Sequence, residues 1–157
     1  MKKIHALLLA MTIVAVPVLL SSFTTGVQFN APHNAADTIV ADTASFNLKA
    51  SMERGKELYA TYCQSCHMEA GDGIEGVYPP LAKSDYMMAD TKRSIREILY
   101  GVTGEMKVNG VSYNIDMPGT DLTDEQASDL LNYIRNSWEN KGAIVLPRDI
   151  KDARKKD

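Results

Sequence analysis

The chain of 157 residues contains only two cysteines, and this scarcity narrows the chemistry open to it. Two thiols form one disulfide at most, so a framework of several disulfides is excluded. A structural zinc site needs four ligands in regularly spaced pairs, but the chain offers only three histidines, His5, His33 and His67. The composition therefore fits neither a disulfide scaffold nor a zinc-binding module.

Large aromatic side chains are also few, with three Phe and one Trp, whereas methionine occurs eight times. A domain of roughly 90 residues buries only a modest fraction of its surface. Such a domain needs further apolar volume, and a large apolar cofactor wrapped by the chain would provide it.

Clustered positive charge is missing from the central part of the chain. Residues 53–142 contain nine Lys or Arg and fifteen Asp or Glu, which gives this segment a net charge of −6. Surfaces that bind nucleic acid carry clustered positive charge. Nucleic acid is therefore not expected as a partner.

Both cysteines and one histidine stand together in the segment Cys63-Gln64-Ser65-Cys66-His67. This C-x-x-C-H spacing is the signature for covalent attachment of one haem c. Each thiol can add to a haem vinyl group, and the histidine can then place a nitrogen on the iron. A redox-active C-x-x-C pair needs no following histidine and usually lies beside a βαβ pattern, which this sequence lacks.

Other short motifs surround this signature, and together they resemble a class I cytochrome c. They are residues 55–59 (GKELY), 78–81 (YPPL), 117–118 (MP) and 130–134 (LLNYI). The resemblance implies an all-α, class I cytochrome c fold, with three to four helices around one haem.

A narrower resemblance covers residues 53–142. This segment is similar to the haem domains fused to, or working beside, copper nitrite reductases and periplasmic dehydrogenases. The motifs behind it are residues 79–86 (PPLAKSDY), 108–111 (VNGV) and 136–138 (NSW). In those domains a small β-hairpin lies on the Met-ligand side of the haem. The Asn-Gly pair at 109–110, between two short β-prone runs, predicts such a hairpin here.

The resemblance also implies roles for residues on the histidine side of the haem. His67 is the expected iron ligand, and a metal-bound histidine usually donates its other ring N–H to an oxygen atom. In the family a proline carbonyl at this place accepts that hydrogen bond. Pro79 is the expected acceptor, with Pro80 as the alternative, and Leu81 is expected to pack against the ring.

On the other side of the haem, Met117 is the expected sixth ligand. It precedes Pro118 in a predicted loop before a capped helix, which is the setting of Met ligands in the family. Met106 in the predicted hairpin is the alternative ligand. A thioether ligand raises the reduction potential and favours electron transfer.

Capping and periodicity predict where the helices lie. The first helix is expected to begin at a cap on Ser51 and to end at about residue 62. The second is expected to run from a cap at Asp90 or Thr91 to Gly101. The third is expected to begin at a capping box of Thr123 and Gln126 and to end at Gly142. The basic residues of the second helix, Lys92, Arg93 and Arg96, lie off its apolar face and are expected to face solvent, with contact of one of them to a haem propionate as the alternative.

The ends of the chain are predicted to lie outside the haem domain of residues 51–142. Residues 1–22 combine Lys2 and Lys3 with an apolar run, which indicates a cleaved signal peptide, with a retained N-terminal anchor as the alternative. Residues 23–50 read as a flexible linker, and residues 143–157 as a charged, frayed C-terminal tail. The expected location is the periplasm, with anchoring at the outer face of the inner membrane if the first segment is retained.

Two filled axial positions leave no open site for a substrate, so the predicted function is one-electron transfer and not enzymatic catalysis. One alternative is a haem enzyme or gas-binding protein with an open sixth site, and another is a cytochrome subunit of a larger oxidoreductase complex. The expected partner is a redox protein such as a nitrite reductase, an oxidase or a dehydrogenase. Because Glu69, Asp72 and Glu75 follow the haem motif, a partner docking there should be basic.

Overall fold

The computed structural model describes residues 45–155, so the predicted signal segment and most of the predicted linker lie outside the described residues. The helices are α1 (Leu48–Tyr62), α2 (Gln64–His67), α3 (Asp85–Ala89), α4 (Thr91–Tyr100), α5 (Asp124–Asn136) and α6 (Pro147–Arg154). The strands are β1 (Gly101–Val102), β2 (Met106–Val108), β3 (Val111–Tyr113) and β4 (Met117–Pro118). Between residues 45 and 155, no helix is long and apolar enough to cross a membrane.

Helix α1 begins earlier than the sequence predicted. Asn47 is the N-cap, and its side chain accepts a hydrogen bond of 3.0 Å from Ala50 N. Ser51, the predicted cap, lies inside the helix and is fully buried. Its hydroxyl donates a hydrogen bond of 2.6 Å to Asp129 Oδ1, which satisfies the buried hydroxyl. The last residues of the predicted linker therefore belong to the folded domain.

Helices α1 and α5 cross closely at Gly55. A Cβ atom at this position would lie 2.0 Å from the carbonyl oxygen of Asp129, so only glycine allows the observed approach. Beside the crossing, the ring of Tyr59 lies 5.5 Å from that of Tyr133 and 5.0 Å from that of Trp138. Such tilted aromatic contacts add stability beyond the burial of area alone.

Helix α5 starts as predicted but ends earlier. Thr123 and Gln126 form the expected capping box, whereas the last helical residue is Asn136 and not Gly142. Trp138 and Glu139 take positive φ angles of 51° and 70°, which no α-helix accommodates. The chain turns back there.

Residues 143–154 form neither a frayed nor an exposed tail, so that part of the sequence prediction was wrong. Val145 and Ile150 are fully buried, and α6 packs against α5. Asn132 of α5 accepts from Val145 N and donates to Val145 O, both at 2.8 Å. Val145, Leu146 and Ile150 are the buried apolar side chains of this segment. The sequence did not indicate their burial, because many charged residues surround them.

The short strands form two antiparallel pairs. Strands β2 and β3 pair as Met106 with Tyr113 and Val108 with Val111, which confirms the predicted hairpin. Strands β1 and β4 also pair, with Val102 opposite Met117. The second pair was not predicted, because two-residue strands leave no periodic pattern in the sequence.

Candidate functional site

Cys63, Cys66 and His67 lie together at the junction of α1 and α2. Cys66 N and His67 N donate to the carbonyl of Cys63 at 3.2 and 2.9 Å, so the three residues share one helical turn. Cys63 and Cys66 do not form a disulfide. Spacings of three and four residues bring their side chains to the same side of the turn.

The thiol of Cys63 does not have the low pKa that disulfide exchange requires. Burial raises its pKa to about 12, and the nearby Cys66 adds to this increase. Redox-active C-x-x-C pairs instead hold one thiol at a low pKa, because the thiolate is the nucleophile. Cys63 therefore does not have the low pKa of the nucleophilic thiol in such a pair.

His67 is buried, with 8% of its surface exposed, and its ring is held in one orientation. Its Nδ1 lies 2.8 Å from the carbonyl oxygen of Pro79 and not from that of Pro80. With Nδ1–H donating to this oxygen, the lone pair of Nε2 stays available for a metal. Burial also lowers the pKa of His67, which favours the neutral imidazole that a metal requires.

The glycine-rich loop after the motif brings Pro79 to the histidine. Gly73 N donates to His67 O at 3.1 Å, and Gly73 has a φ of +62°. A Cβ atom on Gly73 would lie 2.3 Å from Tyr78 O and 2.7 Å from Pro79 O. A side chain here would push the proline carbonyl away from the His67 ring.

All six predicted site residues line one cavity of about 340 Å³: Cys63, Cys66, His67, Pro79, Leu81 and Met117. Its remaining wall is largely apolar and includes Ile98 of α4 and Leu130, Leu131 and Ile134 of α5. A covalently attached haem needs two thiols, a neutral imidazole and an apolar pocket. The residues present fit that group.

Met117 lines the cavity from β4 and does not lie in a loop as predicted. Its pairing with Val102 ties it to the end of α4, where β1 begins directly after Tyr100. Met106 of β2 also lines the cavity. Met117 stays the predicted sixth ligand of the iron, with Met106 as the alternative.

Sequence reasoning missed a polar group on the cavity wall. Tyr86 OH donates to Glu97 Oε1 at 2.6 Å, and both residues line the cavity. The guanidinium of Arg93 lies 3.7 Å from the centre of the Tyr86 ring, and Arg93 Nε lies 3.8 Å from Glu97 Oε1. Arg93 was predicted to face solvent, but its side chain is only 35% exposed. The i, i+4 spacing of Arg93 and Glu97 was the available signal.

Comparison with known proteins identifies the family. A cytochrome c family model matches residues 52–138. Cytochrome c-552 of Thermus thermophilus is 33% identical over 106 residues, which cover 64% of this chain and 71% of that protein. The chain belongs to the cytochrome c family.

Larger relatives are cytochrome subunits of dehydrogenases. The cytochrome c subunit of the quinone alcohol dehydrogenase of Gluconobacter oxydans is 29% identical over 71% of this chain. The cytochrome c subunit of the gluconate 2-dehydrogenase of Pantoea cypripedii is 32% identical over 66% of this chain. In both cases the match covers 24% of the larger subunit.

Family membership confirms several predictions. The chain is a class I c-type cytochrome that carries covalently bound haem c and transfers electrons. The mainly helical fold agrees with that class. The individual attachment and ligand residues stay predictions, as does the narrower resemblance to domains of copper nitrite reductases.

Proposed function

We propose that this chain is a one-electron carrier in which Cys63 and Cys66 would hold one haem c, while His67 and Met117 would ligate its iron. One observation supports the proposal: the four residues line a single cavity, which brings two thiols, an imidazole and a thioether together. The bound haem would supply the one-electron couple, and the protein would determine its potential and its access to partners.

The residues around the cavity have distinct tasks in this proposal. Pro79 accepts from His67 and thereby fixes the plane of the imidazole and increases its basicity. Met117 raises the reduction potential, because a thioether favours the reduced iron. Leu81, Ile98 and Leu130 limit the entry of water.

The partner in this proposal is a periplasmic or membrane redox enzyme, and a dehydrogenase is the best-supported kind. Two of the relatives named above are dehydrogenase cytochrome subunits. The basic and apolar segment of residues 1–22 supports export, since it has the composition of a signal peptide. A nitrite reductase or an oxidase would be an alternative partner of the same chemical kind.

The test compares Met117→Ala with the matched variant Met106→Ala. We expect Met117→Ala to keep its haem but to lose the iron–sulfur charge-transfer band of the oxidised protein. Its reduced form should bind carbon monoxide, and its potential should fall. Met106→Ala should retain the band.

Each other outcome has a definite meaning. Loss of the band in Met106→Ala alone would assign the sixth position to Met106. Binding of carbon monoxide by the unmodified reduced protein would favour the alternative with an open sixth site. Retention of two covalent links in both Cys63→Ser and Cys66→Ser would refute attachment through this motif.

The dehydrogenase relatives also favour a second candidate, in which the chain is a permanent cytochrome subunit of a larger oxidoreductase. Mild extraction followed by size-exclusion chromatography separates the two possibilities. A carrier elutes as a small holoprotein, whereas a subunit co-elutes with a dehydrogenase in fixed stoichiometry.

A further inference from the structure

Glu97 is an acidic side chain on an otherwise largely apolar wall of the haem cavity. It lies on α4 between Ser94 and Ile98, which line the same cavity. Its side chain is 17% exposed, so it is mostly shielded from water while keeping contact with solvent. The electron-transfer role uses the apolar wall and the two axial ligands but gives this carboxyl no task.

The charge of Glu97 is balanced by a small set of neighbours. Tyr86 of α3 donates a hydrogen bond to it, and Arg93 of α4 places a positive charge 3.8 Å away. Asp90, at the start of α4, acts in the opposite direction as a like charge. The residues of α5 that line the cavity are apolar, and the other carboxylate on the lining, Asp116, is exposed.

These influences leave Glu97 with a raised pKa. Burial is the largest cause, while the hydrogen bond from Tyr86 and the charge of Arg93 oppose it and Asp90 adds to it. A carboxyl that is largely shielded from water responds to a further change of charge in its surroundings.

We propose that Glu97 takes up a proton when the haem iron is reduced and releases it when the iron is oxidised, so that electron transfer by this protein is coupled to proton transfer. The inference rests on the proposed occupation of the cavity by a haem. An electron from the redox donor goes to the iron, and a proton from solvent goes to the Glu97 carboxylate. No other bond is made or broken.

The coupling follows from electrostatics. Oxidised iron carries one more positive charge than reduced iron, and Glu97 shares a poorly solvated cavity with it. That extra charge favours the carboxylate, and its removal favours the protonated acid. Because linkage is reciprocal, a proton on Glu97 must favour the reduced iron by the same factor.

Potentiometric titration of the holoprotein over a series of pH values tests the coupling. The potential of the unmodified protein should be constant at acid pH, should fall above the usual pKa of glutamate, and should then become constant again. A tenfold difference in proton affinity between the two redox states corresponds to about 59 mV between these plateaus. Glu97→Gln should abolish the fall, because glutamine accepts from Tyr86 but does not titrate.

Two further variants make the test specific. Asp116→Asn removes the exposed carboxylate of the same cavity and should leave the fall unchanged. Tyr86→Phe removes a hydrogen bond to the charged form of Glu97 and should move the fall to higher pH. A role in packing alone would not produce this shift.

The outcomes that overturn the inference are clear. A fall that persists in Glu97→Gln would assign the proton to another group, such as a haem propionate. A potential independent of pH, with the iron–sulfur band present, would refute the coupling but leave the proposed ligation intact. Absence of that band would instead refute the ligation. Redox-difference infrared spectra add a second readout, because the band of the protonated carboxyl should appear on reduction and be absent in Glu97→Gln.

Discussion

The two walls of the haem cavity differ in how they are held in place. The attachment wall, residues 63–83, is tied together by backbone hydrogen bonds that close its loop. Leu81 N and Ala82 N both donate to Gly71 O, at 2.7 and 2.9 Å. The amide of Asn140 further links this wall to the segment that follows α5, since it donates to Leu81 O and accepts from Lys83 N, both at 2.9 Å.

The distal wall, residues 101–119, has weaker connections. Its two strand pairs contain two and three residues per strand. The tip of its hairpin is held at the surface, where Asn109 and Asp85 exchange hydrogen bonds of 2.7 and 3.0 Å. Val108 and Tyr113 are buried but do not belong to the main core cluster.

This difference predicts which of the two proposed iron–ligand bonds breaks first. Segments with few buried contacts and exposed hydrogen bonds open locally at a lower free energy than the whole domain unfolds. The Met117 wall should therefore open while the His67 wall remains folded around the haem. Four predictions follow from the comparison of the two walls, from the largest expected effect to the smallest, and those at Gly119 and Gly110 test this order directly.

The largest loss of stability is expected for a substitution of Gly55. Both walls depend on the crossing of α1 and α5, which lies at this residue. Gly55→Ala would place a Cβ atom 2.0 Å from Asp129 O, so the two helices must separate. We expect a loss of about 3 kcal/mol or more in the free energy of unfolding, and little holoprotein. Chemical denaturation measures the loss.

Gly76→Ala is the control for this experiment. Gly76 has a φ of +72°, but a Cβ atom there meets no other atom within 4 Å. The cost should be about 1 kcal/mol, from the left-handed backbone alone. Equal costs at the two positions would contradict the role of the close helix crossing.

A smaller and more local effect is expected at Gly119, the last residue of the distal wall. A Cβ atom there would lie 2.6 Å from Leu99 O and 2.8 Å from the carbonyl carbon of Tyr100. Gly119→Ala should push β4 away from α4 and destabilise the closed distal wall by about 2 kcal/mol. The iron–sulfur band should disappear at lower denaturant concentration, while the haem stays attached. Simultaneous loss of the band and of helical circular dichroism would argue against local opening.

A still smaller effect is expected at Gly110, in the turn of the hairpin. Asn109 and Gly110 have φ angles of 50° and 86°, as a type I′ turn requires. A Cβ atom at Gly110 meets no other atom within 4 Å. Gly110→Val nevertheless places a β-branched residue in the left-handed region, which should cost about 1–2 kcal/mol. Loss of Met ligation should come at milder denaturant than in the unmodified protein. An unchanged ligation transition would mean that the turn does not hold the distal wall.

The sequence predicted the attachment wall better than the rest of the molecule. C-x-x-C-H is a contiguous motif whose chemistry fixes its own local geometry, so Cys63, Cys66 and His67 could be recognised together. The capping box of Thr123 and Gln126 was predictable for the same reason, because a cap involves only neighbours in sequence.

Features that depend on distant residues were not predictable. Ser51 looked like a cap because serine commonly is one, yet Asp129, 78 residues later, determines its position. The burial of Ile150 depends on its packing with α5, and no local pattern distinguishes it from a charged tail. The Tyr86–Glu97 hydrogen bond joins two helices in the same way. Long-range hydrogen bonds and packing leave no periodic signal.

The smallest effect is expected on the surface of the attachment wall, where charge should act on partner binding and not on stability. Glu69, Asp72 and Glu75 are exposed there, beside two exposed apolar side chains, Ile74 at 44% and Val77 at 45%. Weak redox encounters use small interfaces that charge steers. We expect electron-transfer rates to the partner to fall as ionic strength rises.

Reversal of Asp72 and Glu75 to lysine should slow association with a basic partner and leave the reduction potential nearly unchanged, because both side chains are solvated. Reversal of Glu53 and Glu57 on α1 changes the net charge equally and is the matched control. Stopped-flow measurement of second-order rates at several salt concentrations distinguishes the two pairs of substitutions. Equal slowing by both pairs would indicate that only the net charge matters. Rates independent of salt would instead assign recognition to an apolar contact. Ile74 and Val77 are the exposed apolar side chains of this wall that could make it.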